Sequence, residues 1–182
     1  IQFLGAVPEL HPDYAFAQHT MAVAYIRLNN DVGKTKLHLE NCAVSTPRSP
    51  AHQEIINRTF LLFGYLFYEE SALAKAVTAL RKIPRESYYY EDAQLGLGWA
   101  GIRAAQWADC SEAGERLVDA TDKEVLRAEG LLLQGCGKMM QGEYGEATEL
   151  LNSSLEVLTR HMEARRDSAE LKRNRYFNDR IT

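Results

Sequence analysis

The chain has 182 residues, of which 46% are hydrophobic and 25% are charged, and its formal net charge is −4. This composition is ordinary for a globular protein and excludes a disordered or collagen-like chain, while only 12 Gly and 5 Pro argue against a sandwich built from many tight turns. The longest unbroken apolar stretch runs from Phe60 to Tyr68 and is too short to span a membrane, which takes about 20 residues.

Helix-forming residues dominate nearly the whole chain, and apolar side chains recur three or four residues apart rather than in alternation. Leu73, Ala76 and Leu80 form one such stripe. Turn-forming residues predict helix ends, in chain order, at 29–30, 46–50, 83–84, 119–122 and Gly142. The pattern therefore predicts an all-α chain without β-strands, in which helices of roughly 10 to 20 residues are joined as antiparallel hairpins.

A pattern of small and large residues marks one hairpin most clearly, between Leu131 and Leu155. Gly135 lies on its first helix, Gly142 is in the turn, and Ala147 lies on its second helix. Small residues at these positions allow two helices to pack closely against each other.

Earlier segments repeat this pattern with less regularity. The small residues Ala22, Gly64, Gly98 and Gly135 are 42, 34 and 37 positions apart. The pattern resembles the tetratricopeptide repeat (TPR) family, whose unit is a helical hairpin of about 34 residues.

The resemblance implies an all-α fold, a right-handed α-α superhelix of about four TPR-like hairpins plus a C-terminal helix. Residues 1–158 would form the repeat domain, and residues 159–182 a charged capping or extension helix. Stacking has a physical reason, because a single hairpin cannot bury both of its apolar faces. A helical bundle without repeats is the alternative.

The C-terminal segment differs from the body in charge. Residues 159–182 carry 7 Lys or Arg against 4 Asp or Glu, whereas residues 1–158 carry 14 against 21. The helical pattern continues to Leu171 and is predicted to fray from Arg173. A surplus of three positive charges beside an acidic body disfavours nucleic-acid binding, which requires a concentrated basic face.

The resemblance also implies which side chains line a concave groove, and it includes His19 among them. The candidate partner-binding residues are Arg27, Arg58, Tyr65, Tyr68, Glu69, Trp99, Arg103 and Met139. Aromatic, Met and Arg side chains suit the binding of a peptide or a helix. The alternative, that several of them pack in the interior, stays open.

Other motifs do not predict chemistry. The GxGxxG pattern at 96–101 has no preceding strand, so close helix crossing is the better interpretation than a nucleotide site. The histidines are scattered without a metal-binding spacing, and Cys42 and Cys110 are interpreted as buried thiols. We therefore predict no catalytic residue, no metal site and no cofactor.

These observations predict a non-enzymatic interaction module or scaffold that binds a peptide or helix of a partner protein in its groove. The first alternative is a structural module that assembles with copies of itself, as a homo-oligomer, or within a larger polypeptide. An enzyme, or a helical sensor with a small-molecule pocket, is the more remote alternative. The predicted partners are proteins or peptides. Nucleic-acid binding is disfavoured, and no membrane-spanning segment is predicted.

Overall fold

The computed structural model describes the backbone of residues 3–29 and 31–181, and the side chains of residues 3–28 and 31–168. Within these ranges the chain forms eight α-helices and no β-strand, which confirms the all-α prediction. The helices are α1 (Tyr14–Ala24), α2 (Val32–Ala43), α3 (Pro50–Glu69), α4 (Leu73–Leu80), α5 (Tyr90–Arg103), α6 (Trp107–Ala120), α7 (Glu124–Met140) and α8 (Tyr144–Ile181).

The chain divides into two compact units, Ile1–Ala100 and Gly101–Thr182. In the first unit α1 packs against α2 and α3, and α3 packs against α4. In the second unit α6 packs against α7, and α7 packs against α8. The TPR superhelix and the division into 1–158 and 159–182 stay predictions. Helix α8 passes residue 158 without a break and continues to Ile181, so fraying from Arg173 was wrong.

The predicted helix ends at 83–84 and Gly142 fall in connections between helices, while the ranges 46–50 and 119–122 overlap the first residue of α3 and the last two residues of α6. Asn29 is the last residue of a π-helical segment that follows α1, and Asn30 lies outside the described residues.

Two of these positions show why a helix ends or begins there. Gly142, after α7, has a φ of 85°, which glycine adopts readily. Ser49 caps the start of α3, where its hydroxyl accepts a hydrogen bond from the backbone N–H of His52, 3.1 Å away. Two further connections were not predicted. They turn at Ser71 and Ala105, with φ of 60° and 53°, a conformation that glycine usually signals.

Small residues hold the helices close together, as predicted at two positions. A Cβ atom added at Gly64 would collide with the Leu80 side chain of α4, and one added at Gly135 would lie 2.7 Å from Cγ of Leu151 in α8. Both distances are well inside ordinary van der Waals contact, so these helix pairs depend on the missing side chain.

The tightest backbone crossing, between α6 and α7, was not predicted. A Cβ atom at Gly114 would lie 2.5 Å from the carbonyl oxygen of Gly130 and 2.7 Å from the backbone nitrogen of Gln134. Backbone atoms cannot rotate out of the way as a side chain can. A larger residue at either glycine therefore forces α6 and α7 apart.

None of the helices in the described ranges is long and apolar enough to cross a membrane. This agrees with the short apolar stretches of the sequence.

We expect Gly114→Ala to lower the free energy of unfolding by about 3 kcal/mol, because α6 and α7 must move apart to accommodate the methyl group. Urea unfolding followed by far-UV circular dichroism measures this change. The matched control is Gly145→Ala, where no atom lies within 4 Å of the added Cβ. The control should stay within about 1 kcal/mol of the parent protein. Equal stability of the two variants would contradict the close crossing.

Candidate functional site

A recess of about 250 Å³ lies between α3 and α5 in the first unit, and we call it the Tyr–Trp recess. Its lining residues are Tyr65, Tyr68, Glu69, Leu80, Leu95, Gly96 and Trp99. Tyr65 and Trp99 are each 39% exposed, so aromatic surface is open to solvent at its mouth.

Helical spacing brings these side chains to one place. Tyr65, Tyr68 and Glu69 are three and four residues apart on α3, and therefore lie on one face of that helix. Leu95 and Trp99 are four residues apart on α5 and share a face in the same way.

Two contacts fix the shape of the recess. The Tyr65 hydroxyl donates a hydrogen bond to the backbone carbonyl oxygen of Asp92, 3.3 Å away. A Cβ atom at Gly96 would lie 3.1 Å from Cδ1 of Leu80 and 3.4 Å from Cε1 of Tyr65. The absence of a side chain at Gly96 therefore leaves the space that the aromatic rings surround.

Of the eight candidate groove residues, the structure gathers Tyr65, Tyr68, Glu69 and Trp99 around this recess. The other four lie outside its lining. Arg58 is exposed on α3, and Arg27 is exposed in a π-helical segment, Tyr25–Asn29, that follows α1. Arg103 ends α5, and Met139 lies near the end of α7, so both belong to the second unit. A role of all eight residues in one groove stays a prediction.

Sequence reasoning did not assign Gly96 and Leu80 to the recess. Gly96 was interpreted only as part of a GxGxxG pattern, and Leu80 as part of a core stripe. A usable signal was present, because Gly96 precedes Trp99 by three residues and so shares its helix face. The contact of Leu80 with α5 could not be inferred, since it depends on how α4 packs.

The prediction that His19 lines the groove is wrong, because its side chain is buried and only 3% exposed. Its Nδ1 lies 3.0 Å from the Thr59 hydroxyl oxygen, and that hydroxyl is also 3.1 Å from Sγ of Cys42. Its buried Nε2 has no hydrogen-bond partner among the described residues. Burial, and to a lesser extent the charge of Arg58, lowers the pKa of His19 to about 4.

One serine and one histidine lie close enough together to be tested as a nucleophile and its base. Nε2 of His52 is 3.4 Å from Oγ of Ser45, and Nδ1 accepts a hydrogen bond from the backbone N–H of Arg48 at 3.2 Å. Because Nδ1 accepts, the neutral ring carries its proton on Nε2 and cannot take a proton from Ser45 there. The serine hydroxyl instead donates to the carbonyl oxygen of Cys42, 2.6 Å away. This geometry does not suit general-base catalysis.

The cysteine thiols lie in surroundings that oppose ionisation. Cys42 and Cys110 are fully buried, as predicted, and burial raises the pKa of both thiols, that of Cys110 to about 11. Within the described part of the chain, no group of three or more His, Cys, Asp or Glu side chains is arranged to hold a metal ion.

No protein-family model matches this chain, and no curated protein or solved structure is significantly similar to it. The TPR resemblance therefore stays a prediction that depends on the residues quoted for it.

The buried His19 makes the stability of the first unit depend on pH. An unfolded histidine has a pKa near 6.5, so the unfolded chain binds a proton that the folded chain excludes between pH 6.5 and about 4. The stability from a neutral His19 is complete above pH 6.5 and is lost as the pH falls, by on the order of 3 kcal/mol at pH 4.

Urea unfolding at a series of pH values tests this prediction, with His19→Asn as the variant that cannot titrate. The variant should lose stability less steeply than the parent over this window. A shallower slope should remain, because burial also lowers the pKa of His38. His11→Asn, at an exposed histidine, should keep the steep slope, and a His19→Asn slope equal to that of the parent would refute the role of His19.

Proposed function

We propose that this chain is a protein-interaction module that binds a short segment of a partner protein in the Tyr–Trp recess. The observation that carries the proposal is the presence of two tyrosines, a tryptophan and a carboxylate around one open recess. Tyrosine and tryptophan are the residues most often found at the energetic centre of protein interfaces.

The arrangement of the helices supports a TPR-like groove. The helices form four pairs that are consecutive in the sequence, α1 with α2, α3 with α4, α5 with α6 and α7 with α8. In the first unit α1 packs against α3, and the recess lies between α3 and α5, so the first helices of successive pairs are neighbours. In a TPR-like stack the first helices line the concave face.

The size of the recess favours a side chain of a peptide over a complete small molecule. Pockets for drug-sized ligands have volumes of about 300–1,000 Å³, whereas this recess has about 250 Å³. A single large side chain, presented by an extended or helical segment, would fill it while the rest of the segment stays on the surface.

The chemistry of the lining favours a basic segment. Glu69 is the charged residue of the lining, and the faces of Tyr65, Tyr68 and Trp99 attract cations. We therefore expect the partner segment to place an aromatic or aliphatic side chain in the recess and a Lys or Arg beside Glu69. As proposed, the module is not an enzyme.

Self-assembly is the second candidate function, and exposed apolar residues on α8 favour it. Leu155 and Met162, seven residues apart on one face, are 63% and 69% exposed. Nδ1 of His161 is 3.1 Å from a carboxylate oxygen of Glu124, the first residue of α7, so the helix beyond residue 161 extends past that neighbour. Such a face could pair with a second copy.

Selection from a displayed library of random peptides tests the leading proposal. The selected peptides should be enriched in aromatic and basic residues. Trp99→Ala should weaken them by about 2 kcal/mol, or roughly thirtyfold in Kd, because it removes a wall of the recess. Fluorescence anisotropy with labelled peptides measures Kd, and circular dichroism checks that the variant is folded.

The control is Tyr144→Ala, an aromatic residue 69% exposed in the second unit, which should leave Kd unchanged. Glu69→Gln should weaken basic peptides and leave neutral ones unaffected. Unchanged binding by the Trp99 variant would rule out the recess. Failure to select any peptide, together with concentration-dependent sedimentation that Leu155→Ser abolishes, would favour self-assembly.

A further inference from the structure

A second recess, of about 330 Å³, lies between α2, α3 and α4 in the first unit. Its floor is apolar and consists of Phe60, Phe63, Phe67, Ala43, Val44 and Ala79, and its rim carries Glu40, Lys75, Thr78 and Lys82. We call it the Phe–Lys recess. It plays no part in the proposed binding of a basic peptide.

The three phenylalanines form a continuous apolar strip along α3. They are spaced three and four residues apart, so they share one helix face over about 10 Å. The rings of Phe63 and Phe67 are stacked, with centroids 5.6 Å apart and planes 10° from parallel. The strip is long enough to lie against an extended hydrocarbon chain.

Ammonium groups stand at both ends of this strip. Nζ of Lys82 is 4.7 Å from the ring centroid of Phe60, and Nζ of Lys75 is 5.8 Å from that of Phe67. These contacts place both ammonium groups beside the apolar floor, and both lysines are exposed, so an incoming anion can reach them.

The charge at the two ends is compensated to different degrees. At the Phe67 end, Lys36 forms an ion pair with Glu70, 2.6 Å away, so a carboxylate is already present there. Among the described residues, neither Lys75 nor Lys82 forms an ion pair, so the two ends differ in the Glu70 carboxylate near Phe67. A ligand anion therefore meets the more available positive charge at the Phe60 end.

We propose that the Phe–Lys recess binds a medium-chain aliphatic carboxylate, with the hydrocarbon chain along the phenylalanine strip and the carboxylate paired with Lys82. The charge of the rim carries this assignment, because an apolar floor alone would accept any hydrophobic group. The volume lies at the lower end of the range for small-ligand pockets. Residues 1–158 carry 14 basic against 21 acidic residues, whereas the lining of this recess carries two lysines against one glutamate.

Titration calorimetry with decanoate tests the proposal on the full chain. Decanoate should bind saturably with one site per chain. Decyltrimethylammonium, which has the same chain length and the opposite charge, and acetate, which has the charge without the chain, should both bind at least tenfold more weakly.

Two variants assign the site. Lys82→Gln should raise the Kd for decanoate about tenfold, and Lys82→Arg, which keeps the charge, should restore most of the affinity. Ala43→Phe should abolish binding by filling the recess. The charge-matched control is Lys34→Gln, at a lysine outside the lining, which should bind decanoate like the parent protein.

Several outcomes would overturn the proposal. Equal binding of decanoate and decyltrimethylammonium would indicate unspecific hydrophobic adsorption, and an unchanged Kd in Lys82→Gln would place the anion elsewhere. Binding of a helical Leu/Glu peptide without binding of decanoate would assign the recess to an acidic protein partner. Self-association that Lys82→Gln abolishes, without decanoate binding, would assign it to a second copy of the chain.

Discussion

Close packing of helix against helix at small residues is the constraint on which the rest of this structure depends. At Gly114 and Gly130 two backbones approach so closely that a single methyl group has no room. At Gly64 the missing side chain likewise allows the Leu80 side chain to pack directly against the backbone of α3. Helices of ordinary length have little intrinsic stability in water, so tertiary contacts of this kind keep them folded.

The packing of α3 determines both recesses. At about 100° per residue, Phe60, Phe63 and Phe67 face one side of this helix, while Tyr65 and Tyr68 face another. Leu80, the last residue of α4, packs against Gly64 and also lines the Tyr–Trp recess. One helix therefore separates the Tyr–Trp recess, whose lining holds one glutamate, from the Phe–Lys recess, whose lining holds two lysines and one glutamate. We propose that the two recesses bind ligands of opposite charge.

The sequence predicts the helices well and the sites only in part, for physical reasons. Periodicity, glycine and proline predict the all-α class and most helix ends, because those signals are local. The turns at Ser71 and Ala105 could not be predicted from the sequence, since neither residue type normally adopts a positive φ. The burial of His19 could not be predicted either, because it depends on contacts with residues forty positions away in the sequence.

The two recesses differ in how much of them is predictable. The TPR resemblance predicts a shared groove for Tyr65, Tyr68, Glu69 and Trp99, and these four residues line one recess, while their role in binding stays a prediction. Lys75 and Lys82 look in sequence like a solvated helix face, and only the packing of α4 on α3 brings them over phenylalanine rings. Properties that arise within one helix are thus predictable, and properties that arise between helices are not.

The most direct test of this account is an NMR titration that follows the indole N–H of Trp99 and the methyl group of Ala79 in the same sample. A basic aromatic peptide should shift the Trp99 signal and leave that of Ala79 in place, and decanoate should do the reverse. The indole of Trp107, in the second unit, serves as an internal reference. If both ligands shift the same signals, the separation of two oppositely selective sites by α3 is contradicted.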